Sequence, residues 1–369
     1  MTAQANMIGH PIRDLDTPVL LVDLDTLDRN IAKMRQVIMA EAGIGWRPHT
    51  KAIKTPAIAH KLLQAGAHGV TCAKLSEAEV MAAAGIRDIL IANQVVGPAK
   101  IARLVRLLRH ADIVVAVDCD AHIKALDAAA QPAGTRLRVV IEVNIAMNRA
   151  GVEPGEPVVA LARGVASCRG LRFAGLMGWE GGRLAEIPDP DEKRKSIEAA
   201  VGLITASADR CRAAGLPVEI VSCGGTGTYW ITAKLPGVTE VQAGGGIFCD
   251  VHYRRDYGVQ HEYALSILTT VVSRPTPTRI VCDAGWKAMA RFPALPEPLN
   301  VGEAKSLNLS AEHATIELAT PRSVPGVGDQ VQFVAGYSDS TVFLHDHLYG
   351  VRNGCLEAVW PILGRGKLL

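Results

Sequence analysis

Eight short apolar runs, separated by helix-length segments, constrain the fold of this chain more than any other feature. They are GWRPHTK (45–51), GVTCAK (69–74), DILIAN (88–93), DIVVAVD (112–118), RLRVVIEVN (136–144), RFAGLMGW (172–179), EIVSCGG (219–225) and TEVQAGG (239–245). The stretches between them, such as TPAIAHKLLQAG, SEAEVMAAAG and GPAKIARLVRLLRH, carry apolar residues at helical spacing and often end in glycine. Eight strands, each followed by a helical or short connecting segment, predict a (β/α)8 barrel. A doubly wound open sheet is the rival, but its glycine fingerprint is missing from the first strand–helix turn.

The pattern changes near residue 255. ALSILTTVVSRPTPTRIVCDAG, SLNLSAEHATIEL and DQVQFVAGYSDSTVFLHDHLYGV are rich in β-branched residues and turn signals, which predicts an antiparallel β domain. TPVLLVDLD (17–25) precedes the first barrel helix and suits pairing with that distant domain. The expected division is a barrel over 25–254 and a discontinuous β domain from 1–24 and 255–369. At 369 residues, 49% apolar and 21% charged, the chain is long enough for both and has an ordinary globular composition. A net charge of +2 with scattered basic residues argues against a nucleic-acid partner. No apolar run is long enough for a bilayer, and the N-terminal stretch lacks a signal-peptide core. Eight cysteines without a C-x-x-C pair read as reduced, buried hydrophobes, consistent with the cytoplasm.

In a (β/α)8 barrel the chemistry collects at the C-terminal ends of the strands. There this sequence places His49 and Lys51, Lys74, Asn93, Asp118, Asn144 with Arg149, Trp179 and Glu180, and the glycines of SCGGTGTYW and QAGGG. Gly224, Gly225 and Gly227 free the backbone to turn toward an anion, and Thr226 and Thr228 add hydroxyls; the loops after strands seven and eight are the usual phosphate site of this architecture. A phosphate site together with a strand-end lysine points to pyridoxal phosphate, the lysine forming a Schiff base with its aldehyde. The alternative is that Lys51 and Lys54 are solvated loop residues. Strand parity selects Lys51, which shares an extended-strand face with His49.

These motifs, in this order, resemble the group of D-threonine aldolases, 3-hydroxyaspartate aldolases and D-serine dehydratases, fold-type III pyridoxal-phosphate enzymes with an alanine racemase-like barrel. The resemblance runs over nearly the whole chain, through LDTPVLLVDLDTLDRNI, RPHTKAIKTPAIA, EVNIAMNRAGV, CGGTGTY, EVQAGGGIF, CDAGWKAM and LHDHLYGV. It implies that Lys51 is the Schiff-base lysine and that Arg149 contacts the cofactor's phenolic oxygen. Gly225, Thr226, Gly227, Gly244 and Gly245 would hold the phosphate, with His49 close to the ring. It also implies a homodimer acting on a small amino-acid substrate.

Two positions depart from the family. A metal-binding H-x-D pattern is typical before the LHD stretch; here Tyr337 stands for the histidine and Asp339 is kept. Either a hard divalent ion, Mg²⁺ or Mn²⁺, binds mainly through Asp339 and water, or the metal is lost. His345 and His347 lie nearby and read as ordinary histidines on one face of a strand. Glu180 occupies a position where many relatives have histidine, and reads as a general base, an extra metal ligand or a surface acid. The activity implied is cleavage of a β-hydroxy-D-α-amino acid of the D-threonine or 3-hydroxyaspartate type to glycine and an aldehyde, glyoxylate for hydroxyaspartate. The alternatives are a dehydratase releasing ammonia and a keto acid, and a non-enzymatic pyridoxal-phosphate homeostasis protein. Arg183 and Arg291 are candidates for a second substrate carboxylate, and the loops near 290–300 and 335–350 for substrate choice.

Overall fold

The computed structural model describes residues 6–369. They form two compact units, one of residues up to 32 with 52–55 and 245–365, the other of 33–51 with 56–244 and 366–369. The chain enters the first unit through β1 (Val19–Asp23) and continues into α1 (Leu24–Arg35).

The second unit holds all eight expected barrel strands: β2 (Gly45–Trp46), β3 (Val70–Cys72), β4 (Asp88–Gln94), β5 (Asp112–Val117), β6 (Leu137–Glu142), β7 (Leu171–Met177), β8 (Ile220–Cys223) and β9 (Glu240–Val241). They pair in parallel in the order β2-β9-β8-β7-β6-β5-β4-β3. The sheet closes on itself, because Trp46 and Pro48 carbonyls accept the N–H groups of His68 and Thr71. Between strands run α2 (Pro56–Gln64), α3 (Leu75–Ala83), α4 (Pro98–Leu107), α5 (Asp120–Ala130), α6 (Glu156–Ser167) and α7 (Pro190–Ala213). Asp189 caps α7 by accepting from the Asp191 and Glu192 N–H groups, and Pro190 follows at the first helical position, where no N–H is needed.

Strand alternation decides what fills this unit. Leu90, Val114, Ala116, Val140, Ala174, Met177 and Ile220 form one buried cluster, and each such side chain contributes on the order of 1–3 kcal/mol. Continuing the same period of two toward the strands' C-terminal ends reaches Gln94, Asp118 and Glu142, so the apolar layer gives way to a polar one. At the other end, Arg47 donates to Glu240 (3.0 Å) and Asp88 (2.6 Å), and Glu240 also accepts from Ser222 Oγ (2.8 Å) and pairs with His68 (3.0 Å). Burial works against the Glu240 carboxylate, but His68 and Arg47 outweigh it and hold it down at about 2. Buried charges at the strands' N-terminal ends belong to stability rather than chemistry.

The first unit is built on β10 (Leu265–Thr276), β11 (Arg279–Cys282), β12 (Glu297–Pro298), β13 (Ala304–Leu309), β14 (Ala314–Leu318), β15 (Gln330–Val334), β16 (His347–Arg352) and β17 (Cys355–Pro361). The expected pairing of TPVLLVDLD with this domain is present: β1 lies antiparallel to β10. It also lies parallel to β16, the one parallel pair in an otherwise antiparallel sheet. Among the described residues no helix is long and apolar enough to cross a membrane.

Candidate active site

The mouth of the barrel unit gathers around Trp179, two residues past β7. Lys51 Nζ lies 5.5 Å from the centroid of its indole ring and the Arg149 guanidinium carbon 5.7 Å from it. Two cations over one aromatic ring make a local positive field suited to an anionic, planar ligand. The indole also rests on glycine backbone: a Cβ on Gly225 would come within 2.6 Å of its Nε1, so no other residue fits there without moving the ring.

The glycine loop 224–227 is braced from beneath by Glu180. This carboxylate is fully buried and accepts from the Gly224 N–H (3.1 Å), Thr228 Oγ1 (2.7 Å) and Thr232 Oγ1 (2.5 Å). Gly224 sits at φ +76°, a conformation glycine takes without strain. The Gly225 N–H donates to Thr228 Oγ1 (3.1 Å), so the first two loop amides are taken, one by Glu180 and one by Thr228. A Cβ on Gly244 would lie 2.2 Å from the His49 carbonyl oxygen, which fixes the closeness of the two strand ends.

Lys51 arrives by a route that strand parity does not describe. The extended pairing ends at His49, and Thr50–Ala52 is a 3-10 turn. The turn is held by the Lys51 N–H donating to His49 Nδ1 (3.3 Å). With Nδ1 accepting, a neutral His49 ring carries its proton on Nε2. Lys54 is not a solvated loop residue either: it is buried, at φ +53°, and its carbonyl accepts from the Gly364 N–H.

A further network went unremarked in the sequence. Gln94 Nε2 donates to Glu142 (2.5 Å) and to Asp118 (3.3 Å), and Asp118 also accepts the Gly151 N–H (3.1 Å). Burial pushes the Glu142 carboxyl up and Asp118 adds to this, while Gln94 and Arg149 pull it down. The signal was available, since Glu142 interrupts an apolar run at an inward position of RVVIEVN. Lys74 and Asn93 stand near their strand ends, Asn93 donating to the Ala73 carbonyl. Asn144 is turned to Asn148 and Glu153. Arg183 and Arg291 are exposed.

In the sheet unit, Gly245 packs against Tyr253, whose hydroxyl a Cβ there would meet at 2.5 Å. Asp339 accepts from that same Tyr253 hydroxyl (3.0 Å). The expectation for His345 fails: it precedes β16 rather than lying on it, and its Nε2 pairs with the Ala288 carbonyl (2.8 Å). Burial pushes this imidazole down. His347 opens β16 opposite Pro361. The surface-acid reading of Glu180 also fails, since nothing of it is exposed. None of the eight cysteines, all among the described residues, forms a disulfide.

This fold and site define an alanine racemase-like barrel with a basic mouth, and a separate β domain. Residues 22–251 match the alanine racemase N-terminal domain, and 264–351 the putative serine dehydratase domain; the chain belongs to this family. It is 37% identical over 365 residues to the 3-hydroxy-D-aspartate aldolase of Paracoccus denitrificans, covering 96% of this chain and 93% of that one. The crystal structure of D-threonine aldolase from Filomicrobium marinum superposes with a TM-score of 0.94 at 36% identity, over 98% and 99% of the two chains. D-threo-3-hydroxyaspartate dehydratase from Delftia sp. HT23 follows at 0.85 and 28%, over 96% and 99%.

Proposed function

We propose that the chain is a pyridoxal-phosphate-dependent carbon–carbon lyase that cleaves a β-hydroxy-D-α-amino acid to glycine and an aldehyde. The observation that carries this reading is the convergence of Lys51 and Arg149 on Trp179, beside a glycine loop that tolerates no side chain at Gly225. Such a cradle fits the cofactor, and the two aldolases named above match over nearly the full length of both chains.

Lys51 would hold the cofactor aldehyde, Arg149 its phenolic oxygen, and Thr226, Gly227 and Gly244 its phosphate; Gly225 serves by its shape. When bound, the cofactor supplies an electron sink for the bond broken at the substrate α-carbon. The residues' own work is positioning. The 3-10 turn directs Lys51 toward Trp179, and His49 presents an N–H donor beside it. Glu180 keeps the glycine loop in one shape before anything binds, which removes an ordering cost from binding. We assign the barrel half to 25–254 and the β half to 1–24 with 255–369, and read the protein as a cytoplasmic homodimer.

Borohydride reduction of the cofactor-loaded protein, followed by peptide mapping, tests the assignment. The expected result is a pyridoxyl adduct on Lys51 and no adduct in Lys51→Ala. An adduct on Lys54 instead, or none at all, would sink it. A loaded protein that turns over no β-hydroxy amino acid would favour the homeostasis reading.

A further inference from the structure

The family's divalent-metal position, residues 337–339, is built here from groups that do not suit a metal. Asp250 fixes this segment: its carboxylate accepts both the Ser338 N–H and the Ser338 hydroxyl, each at 2.7 Å. The same side chain caps the helix α8 (Val251–Arg255) by accepting the Tyr253 N–H at 2.8 Å. That cap places the Tyr253 hydroxyl on Asp339 Oδ1, 3.0 Å away. Tyr337, which stands where the histidine is expected, packs edge-on against both Tyr253 (5.6 Å between ring centroids, 75°) and His252 (5.3 Å, 88°).

The imidazole that Tyr337 packs on, His252, is held through Nδ1 by Asp256 at 2.6 Å. Within residues 337–339 a divalent ion would find one carboxylate where the family has a histidine and a carboxylate, and would have to displace the Tyr253 hydroxyl that donates to it. A protonated phenol is a donor and a poor ligand, whereas the ion needs several lone pairs at about 2 Å. Among the described residues, the group of three His, Cys, Asp or Glu side chains close enough to share an ion is Asp118, Cys119 and His122, in the other unit.

We infer that a hydroxyl–carboxylate cage of Tyr253, Tyr337 and Asp339 has replaced the metal site in this chain, and that no divalent ion binds at residues 337–339. The inference rests on the family assignment and the geometry of this cluster, and is read out without any turnover. Mn²⁺ is titrated into the cofactor-loaded wild type, Tyr337→His, Asp339→Asn, His122→Ala and the double variant Tyr337→His with Asp339→Asn, following free Mn²⁺ by EPR. Circular dichroism checks that each variant is folded.

Expected are no binding at this position in the wild type, one bound Mn²⁺ gained in Tyr337→His, and loss of that gain in the double variant. A wild type that binds one Mn²⁺ and releases it in Asp339→Asn overturns the inference. So does a folded Tyr337→His that gains nothing, because tyrosine would then not be what excludes the ion. Wild-type binding that survives Asp339→Asn but disappears in His122→Ala places the ion on the barrel trio and upholds the cage.

Discussion

Replacing Glu180 separates a brace from a base. The carboxylate is fully buried and takes three donors, the Gly224 N–H and the hydroxyls of Thr228 and Thr232. Hydrogen bonds to a charged acceptor contribute roughly 1.5–3 kcal/mol each. In Glu180→Ala the two hydroxyls can turn to other partners but the Gly224 N–H cannot. The variant therefore leaves one buried donor unsatisfied and opens a cavity, a cost of about 3–5 kcal/mol. Glu180→Gln keeps the shape and an acceptor for Gly224, and both hydroxyls can reorient, so about 1–2 kcal/mol is lost. Urea unfolding of the cofactor-free protein measures these differences, and titration with pyridoxal phosphate measures the effect on the loop. We expect Glu180→Ala to weaken cofactor binding by at least about tenfold, since 1.4 kcal/mol of loop distortion suffices. Glu180→Gln should bind within a few-fold of wild type and, once saturated, keep kcat within about tenfold. A Glu180→Gln enzyme with normal cofactor affinity and a kcat lower by 10²–10⁴ would refute the reasoning, because that is the pattern of a lost general base.

Gly244→Ala should also disturb the mouth, because its Cβ would lie 2.2 Å from a backbone oxygen of His49, two residues before Lys51. A loss of about 1–3 kcal/mol in thermal or urea stability, with weaker cofactor retention, is expected; unchanged values would show that the strands can part freely. Acid stability should depend on Glu240. Its folded carboxylate stands at about 2 against an ordinary 4.5, so its contribution is fully present above pH ~4.5 and is lost as pH falls toward 2. That contribution is on the order of 3 kcal/mol. Urea midpoints at pH 6 and pH 3 should therefore converge in Glu240→Gln, and a variant that keeps the wild-type pH dependence would contradict the assignment.

The barrel was legible because most strands are near-continuous apolar runs and several helices carry a 3.6-residue pattern ending at glycine, as at Gly66 and Gly85, both at positive φ. The site was legible only where residue type carried the message. Lys51 was singled out by position, yet the reason given for it failed: the chain leaves extended geometry after His49, and a 3-10 turn, not parity, aims the side chain. His345 was misread for the same reason, since its strand begins two residues later. The buried state of Lys54 and the brace at Glu180 depend on partners far along the chain, Gly364 in one case and residues 224–232 in the other. Local pattern does not encode such meetings. The layer of Gln94, Asp118 and Glu142 was within reach of alternation alone, because it continues the period of the apolar cluster beneath it.

The central claim, carbon–carbon cleavage, is tested most directly by quantifying the products of 3-hydroxy-D-aspartate with the cofactor-loaded wild type. The account predicts glycine and glyoxylate in equal amounts, with no ammonia. Ammonia and a keto acid in their place would mean that the carbon–oxygen bond breaks instead, and that the chain is a dehydratase.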